Sequence, residues 1–372
     1  MKLKLKIGIL GCRGIPNAYG GFEQFAEYLS AALVERGHDV WVYNSHKHPY
    51  QYNVWKGVHI VHCIDWEYRL GAAGQFVYDY NCLTDARKRN FDVLLQLGYT
   101  SNSIWYMRWP KNSINLVNMD GLEWKRTQYN KMTRRFIKFA EALAAKHGDH
   151  LIADSLGIQN YLKEEYKKPS TYIPYGSYVF EPGDTAPLST YNLKPNQYFL
   201  VIARMEPENN IEMLVQGYVE STKKYPLVIV SNAENDFGRY LRKKYKDEKI
   251  VYPGAIFHQP TINCLRSYSA LYFHGHSVGG TNPSLLEAMG CYCHIAAHDN
   301  VFNKAILGDE AYYFSDAAGV AALLNKDDDA AIVSYRKNKN AEKVKTLYDW
   351  KKIIDDYEKL FLEVVNIKQA HG

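Results

Sequence analysis

A chain of 372 residues, 47% hydrophobic and 23% charged, is too long for one comfortable core, so two domains are expected and neither a disordered nor a fibrous class fits. A net charge of +5 suits an anionic small ligand or a lipid surface and is too small to point to nucleic acid. Six cysteines at scattered spacings read as free thiols of a reducing compartment, and the 31 tyrosines suit half-wet clefts where a ring packs while its hydroxyl meets a polar partner.

The first strand is expected over residues 6–10, because Leu3, Leu5, Ile7 and Ile9 alternate with Lys2, Lys4, Lys6 and Gly8. That apolar stretch is far shorter than a signal peptide's core, so Ile9-Leu10-Gly11-Cys12 is not expected to be a lipoprotein processing site. An amphipathic helix over 23–36, closed by Gly37, leads to strands at 39–43, 58–63, 91–97, 114–118 and 150–153. At 181–197 three prolines interrupt the pattern, which reads as a linker. Alternation restarts with strand 198–203, helix 211–220, and strands 226–230, 250–252 and 270–274. Helix 283–290, strand 292–296 and a closing amphipathic helix over 349–366 complete the pattern. Short apolar strands separated by helices imply parallel sheets covered on both faces. The expected fold class is α/β, with two Rossmann-like domains facing across a cleft. The expected bounds are 1–180, a linker at 181–197, and 198–351. No run of about 18 apolar residues occurs, so no membrane span is expected.

Two segments carry phosphate chemistry. In GCRGIPNAYGGFE, residues 11–23, a strand ends, a glycine loop follows and a helix begins near Gly21, so backbone N–H groups can approach an anion; a loop that merely turns the chain is the plainer reading. Gly8, Gly11 and Gly14 also form a GxxGxxG pattern that invites an NAD-dependent or sugar-nucleotide epimerase reading. Gly8 lies inside the strand, and Pro16 sits where the helix should already run, so the positions are wrong for it. An epimerase also needs a Tyr and a Lys four apart; Tyr240 and Lys244 have that spacing, which a tyrosine-rich chain produces by chance. In LYFHGHSVGGTNPSLLEAMG, residues 271–290, a strand delivers a polar loop and Pro283 fits the first helical turn. Amides around Gly280, Thr281, Asn282 and Ser284, with the Thr281 and Ser284 hydroxyls, are expected to cradle a pyrophosphate, and Glu287 to reach a ribose. Arg204 follows a strand directly, where α/β sheets bind ligands, and a permanent guanidinium suits a diphosphate.

The ordered set GGFE, ARMEPENN, GGTNPSLLEAMG and YDWKKIIDDYEKLF resembles the retaining family 4 of GT-B glycosyltransferases (glycosyltransferase group 1), over nearly the whole chain. RGIPNAYGGFE and NMDGLEWKR resemble the branch of bacterial rhamnosyltransferases of surface-polysaccharide assembly. The resemblance implies a nucleotide-diphosphate sugar bound as substrate on the C-terminal domain, without cofactor or metal, and a glycan or lipid-linked acceptor on the N-terminal domain, which the last helix, 352–372, completes. It implies that Gly20 and Gly21 offer amides to the diphosphate, Arg204 binds its oxygens, Thr281 and Asn282 cradle it, and Glu287 holds the ribose. Two departures stand out: Asn209 replaces a common lysine, and Gly279 a common glutamate. Both fit the rhamnosyltransferase-like branch and favour dTDP-rhamnose over a glucose or mannose donor. A non-catalytic sugar-nucleotide-binding subunit is the remaining alternative, and Asp120 together with Arg204 speaks against it.

Asp120, in a turn beside Gly121, is the candidate acid or base near the acceptor hydroxyl, with Glu123 its competitor; either residue could instead cap a helix. Cys291, Cys293, His294 and His298 have poor geometry for one metal and read as buried side chains. His274 and His276, beside the donor loop, either touch ligand or only pack. Residues 125–147 are basic with Phe136, Phe139, Ala140 and Leu143 on one face, so they form either an ordinary packing helix or a peripheral contact with an anionic membrane. A cytoplasmic location, peripheral at the inner face of the cell membrane in the latter case, is expected.

Overall fold

The computed structural model describes residues 3–126, 129–222, 225–246, 248–277 and 279–371. Lys2, Thr127, Gln128, Val278 and Gly372, each inside a segment read above, lie outside the described residues. The chain forms two compact units. Unit 1 comprises the chain up to Trp124, Lys131–Tyr175 and the segment from Trp350; unit 2 comprises Lys125–Asn130 and Gly176–Asp349.

The sheet of unit 1 contains β1 (Lys6–Leu10), β2 (Asp39–Ser45), β3 (Val54–Trp55), β4 (Val58–Cys63), β5 (Val93–Leu97), β6 (Ile114–Asn118), β7 (His150–Ala153) and β8 (Ser170–Tyr172). Their order is β3-β4-β2-β1-β5-β6-β7-β8, parallel except for the short β3–β4 pair. Central strands are continuous apolar runs because both faces are covered: every residue of β5 and β6 is buried. The polar intruders in those strands are bonded, Gln96 Oε1 accepting from Asn102 Nδ2 at 2.9 Å and Asn115 Nδ2 donating to the Pro110 carbonyl at 3.0 Å. The closing helix, Trp350–His371, belongs to this unit. Its Ile353, Tyr357 and Phe361 are fully buried, Trp350 stacks on Tyr28 at 4.8 Å, and Glu358 pairs with Arg36 at 2.7 Å and His38 at 2.9 Å.

Unit 2 carries β9 (Phe199–Ile202), β10 (Leu227–Val230), β11 (Ile250–Val251), β12 (Leu271–His274), β13 (Ile295–His298) and β14 (Tyr312–Phe314), all parallel, in the order β11-β10-β9-β12-β13-β14. Helices Ile211–Glu220 and Pro283–Gly290 have the expected bounds.

Three expectations change. The break between units falls at Tyr175 and Gly176, ahead of residues 181–197; that segment holds the short helix Ala186–Ser189 and buries Leu188 and Leu193. The strand expected at 292–296 starts later, at Ile295, because Tyr292 turns the chain with a φ of 53°. In the helix Lys131–His147, Ile137, Ala140, Glu141, Ala144 and Ala145 are buried, whereas Phe136, in edge contact with Phe76 at 5.6 Å, and Phe139 are exposed. All six cysteines are unpaired and buried, and among the described residues no helix is long and apolar enough to cross a membrane.

Candidate active site

In unit 2 the strand order reverses between β9 and β12, which opens a crevice at the carboxyl ends of these two neighbours. Arg204 lies just beyond β9 with its side chain 63% exposed and Nη2 3.3 Å from Glu206 Oε2. The turn Pro207–Asn209 follows, and Asn209 uses its side-chain amide to hold the Arg204 carbonyl at 2.8 Å. Asn209 therefore brings a backbone clamp and no charge.

The loop after β12 is tied down on both sides. Ser277 donates from N and Oγ to the Glu208 carbonyl at 3.2 and 2.8 Å, while Asn300 and Asn303 donate to the His276 carbonyl at 3.0 and 3.1 Å. Gly279 adopts a φ of 133°, which L side chains rarely take, and a Cβ there would meet nothing within 4 Å. The common glutamate is thus absent from a backbone conformation that disfavours any side chain. Asn282 caps the helix Pro283–Gly290, its Oδ1 accepting the Ser284 N–H at 2.9 Å. The Ser284 hydroxyl, expected to face a diphosphate, instead meets Tyr272 OH at 2.8 Å. Gly280, Thr281 and Asn282 remain as the segment at the positive end of the helix.

Glu287 lies one turn into this helix and is held by Arg266, Nη2 to Oε2 at 2.5 Å, with Gln259 Nε2 3.5 Å from Oε1. Arg266 is 2% exposed and Glu287 is half-buried, so the carboxylate is oriented from behind by a buried guanidinium. The sequence reading missed Arg266; its one signal was a guanidinium inside the apolar run INCLRSYSALYF. His274 and His276 stack at 4.3 Å, and burial holds His274 well below its usual range. Burial, helped by the charges of Arg204 and Arg126, holds His276 down at about 3, so both rings are neutral at pH 7. A larger groove of about 690 Å³ beside the helix Ile211–Glu220 is lined by Glu212, Glu220 and Asp316, the wrong sign for a phosphate.

In unit 1 the glycine loop leaves β1 and enters the helix Gly21–Glu35, with Gly20 as its N-cap. Glu23, in the first turn and 4% exposed, accepts the Arg13 N–H at 2.8 Å. Arg13 in turn lies over the Tyr19 ring at 3.8 Å and pairs with Glu67 at 2.6 Å. Gly11 has a φ of 93°, and a Cβ there would stand 2.2 Å from the Leu97 carbonyl oxygen. Gly11 therefore serves the close approach of the loop to β5.

Asp120 follows β6 with a φ of 46°, a left-handed conformation held by its N–H to Asn118 Oδ1 at 3.0 Å. Glu123 opens the turn Glu123–Lys125, its N–H donating to the Gly121 carbonyl at 2.9 Å and reaching Tyr99 OH at 3.3 Å. Tyr99 OH also lies 3.1 Å from Glu141 Oε2, a carboxylate that accepts from Tyr161 and Tyr166 as well. Asp120, Glu123, Gly20 and Gly21 thus belong to unit 1, and Arg204, Gly280, Thr281, Asn282, Ser284 and Glu287 to unit 2. Tyr240 and Lys244, with an epimerase's spacing, are bonded to each other at 3.0 Å and to Glu212 at 2.8 Å each on an exposed helix.

A family model described as a domain of unknown function (DUF1972) matches residues 4–178. An uncharacterized glycosyltransferase of Methanocaldococcus jannaschii is 23% identical over 265 residues, covering 64% of this chain and 64% of that protein, a little under two thirds of its length. Among solved structures, sucrose-phosphate synthase from Thermosynechococcus elongatus superposes with a TM-score of 0.81 at 16% identity, over 98% of this chain and 100% of that one. Anabaena HepE in complex with UDP gives 0.73 at 12% identity, over 96% and 100%. The α,α-trehalose 6-phosphate synthase of Burkholderia multivorans gives 0.72 at 10%, over 99% and 98%. At such identities the likeness is one of fold, and the fold is α/β with the two Rossmann-like parallel sheets of GT-B glycosyltransferase structures.

Proposed function

We propose that this chain is a glycosyltransferase that moves a hexosyl group, rhamnosyl from dTDP-rhamnose, onto a hydroxyl of a glycan or lipid-linked saccharide. The observation that carries the reading is the convergence of Arg204, the Gly280–Asn282 amides and a helix N-terminus at the reversal point of one sheet. As the nucleotide diphosphate departs it gains negative charge, and a fixed guanidinium and amides stabilise that charge without reorganising. Glu287, oriented by Arg266, is the ribose ligand. The names of the similar proteins above, HepE with UDP and an archaeal glycosyltransferase among them, support the reaction class. Gly279, whose backbone disfavours a carboxylate side chain, supports a deoxysugar donor. Asp120 is assigned the acid or base role, because a non-glycine residue held in a left-handed conformation is the kind of local strain that function maintains. Metal independence and retention of the anomeric configuration enter through the family resemblance.

Thermal-shift titration with dTDP, UDP, GDP and their sugars tests the reading. Ligand at a hundredfold excess over Kd stabilises by about 2.7 kcal/mol, and Arg204→Ala is expected to abolish the shift. No shift with any nucleotide would sink the transferase; a shift with NAD alone would support a nicotinamide enzyme.

A peripheral membrane contact is part of the proposal. Met132, Phe136 and Phe139 are exposed on the helix Lys131–His147 beside Lys131, Arg134 and Arg135, the pairing of apolar and basic groups that an anionic bilayer attracts. Sedimentation with anionic vesicles should exceed that with neutral ones and fall when those three cations are neutralised; equal recovery removes the contact.

A further inference from the structure

Glu206 is the anion at the centre of this site. Its Oε2 is out of solvent and takes no hydrogen bond among the described residues, yet two guanidiniums flank it: Arg204 Nη2 at 3.3 Å and Arg126 Nη1 at 3.8 Å. Next to it, Glu208 is 5% exposed with both carboxylate oxygens likewise unbonded, and Arg126 Nη1 stands 3.5 Å from one of them. A carboxylate oxygen out of solvent that faces cations without a hydrogen bond is held by charge alone, so the arrangement is easily exchanged for a better anion. The Glu208 carbonyl meanwhile accepts both bonds from Ser277, which ties this turn to the loop after β12. Arg126 therefore reaches the same turn as Arg204, from the segment Lys125–Asn130 of unit 2. Asn209 contributes no charge and burial holds His276 neutral, so among the described residues Arg126 and Arg204 are the cations that face Glu206.

We propose that Arg126 and Arg204 form a two-guanidinium clamp for the donor's diphosphate, and that Glu206 is a resident anion which the diphosphate displaces. The proposal rests on the reading that unit 2 binds a nucleotide sugar. A guanidinium presents paired donors that match phosphate oxygens, and two of them balance a diphosphate that one alone leaves half neutralised. Glu208 is then the positioning residue that keeps Arg126 at the turn after Glu206 leaves. Nucleotide affinity becomes a competition between an internal carboxylate and an external diphosphate for the same two cations.

The test is calorimetric titration of the full chain with dTDP, UDP, inorganic pyrophosphate and thymidine, for wild type, Arg126→Ala, Arg126→Lys and Glu206→Gln. Loss of one charge-assisted contact should weaken dTDP and pyrophosphate about tenfold or more in Arg126→Ala and less in Arg126→Lys, with thymidine unchanged. Removing the competing charge in Glu206→Gln should tighten dTDP about threefold, an opposite sign that mere structural damage does not produce. Arg126→Ala within about twofold of wild type, or Glu206→Gln binding no more tightly, overturns the clamp while leaving the donor site standing. Wild type that binds none of the nucleotides overturns the functional reading itself; pyrophosphate binding that still depends on Arg126 would then keep the anion clamp alone.

Discussion

The glycine loop after β1 and the one after β12 each lead from a strand into a helix, yet they use their glycines differently. After β1, Gly11 permits contact with the Leu97 carbonyl, and the space beyond is filled by the protein's own charges. Glu23 takes the Arg13 amide, and Arg13 is spent on Glu67 and Tyr19. After β12, a Cβ at Gly279 would point into open space, and both nearby guanidiniums face Glu206 Oε2, at 3.3 and 3.8 Å, without a hydrogen bond to it. The two loops therefore differ in how their carboxylates are used: Glu23 hydrogen-bonds an amide of the first, whereas, among the described residues, Glu206 Oε2 takes no hydrogen bond beside the second.

The comparison can be broken at its ends. The largest effect is expected for Gly11→Ala, where a Cβ would meet a backbone carbonyl at 2.2 Å in a left-handed conformation. A loss of about 3 kcal/mol or more, read by denaturant unfolding, is expected; near-wild-type stability would show that the loop is not packed as described. Arg266→Met removes the buried guanidinium that faces the half-buried Glu287 carboxylate and should destabilise by about 2–3 kcal/mol, with most of it recovered by adding Glu287→Gln. Absence of that recovery would mean that Arg266 acts by packing alone. Gly279→Ala, with room for its methyl group, should cost only about 1 kcal/mol of stability, so a larger loss would erase the contrast with Gly11.

The smallest effect concerns charge under the first loop. Burial pushes the Asp79 carboxyl up to about 7, with the Ser101 hydroxyl, which donates to it, pulling the other way. The folded chain therefore holds this proton more tightly than the unfolded one, and the native state loses stability as pH rises from the ordinary carboxylate range to about 7. Asp79→Asn should raise the melting temperature by a few degrees at pH 8 and leave it nearly unchanged at pH 4. A shift of equal size at both values would refute a protonation origin.

Local signals were read well where the chemistry is local. Pro283 in the first turn and the apolar spacing that follows fix the helix Pro283–Gly290 to the residue, and short runs rich in Val, Ile and Leu fix β4, β6 and β7. The loop between β12 and that helix was legible for the same reason, since strand, glycines, cap and proline lie in one stretch of chain. Reading failed where the answer depends on a distant neighbour. Periodicity grouped Phe136 and Phe139 with Ala140, but the helix buries Ile137, Ala140 and Ala144 instead, Phe136 keeping only an edge contact with Phe76 at 5.6 Å. Tyr292 looked like the start of a strand because its left-handed turn leaves no mark in the residue pattern. Sequence by itself determined the two α/β halves, the glycine-containing turn into the helix Pro283–Gly290 and the place of Arg204 at a strand end, because strand runs, caps and glycines act over a few residues. Only the tertiary structure decided that Arg266 backs Glu287, that Ser284 turns its hydroxyl to Tyr272, and that Arg126 and Arg204 share Glu206. Such pairs are set by which strands lie side by side, and charge carries no periodic signature along the chain.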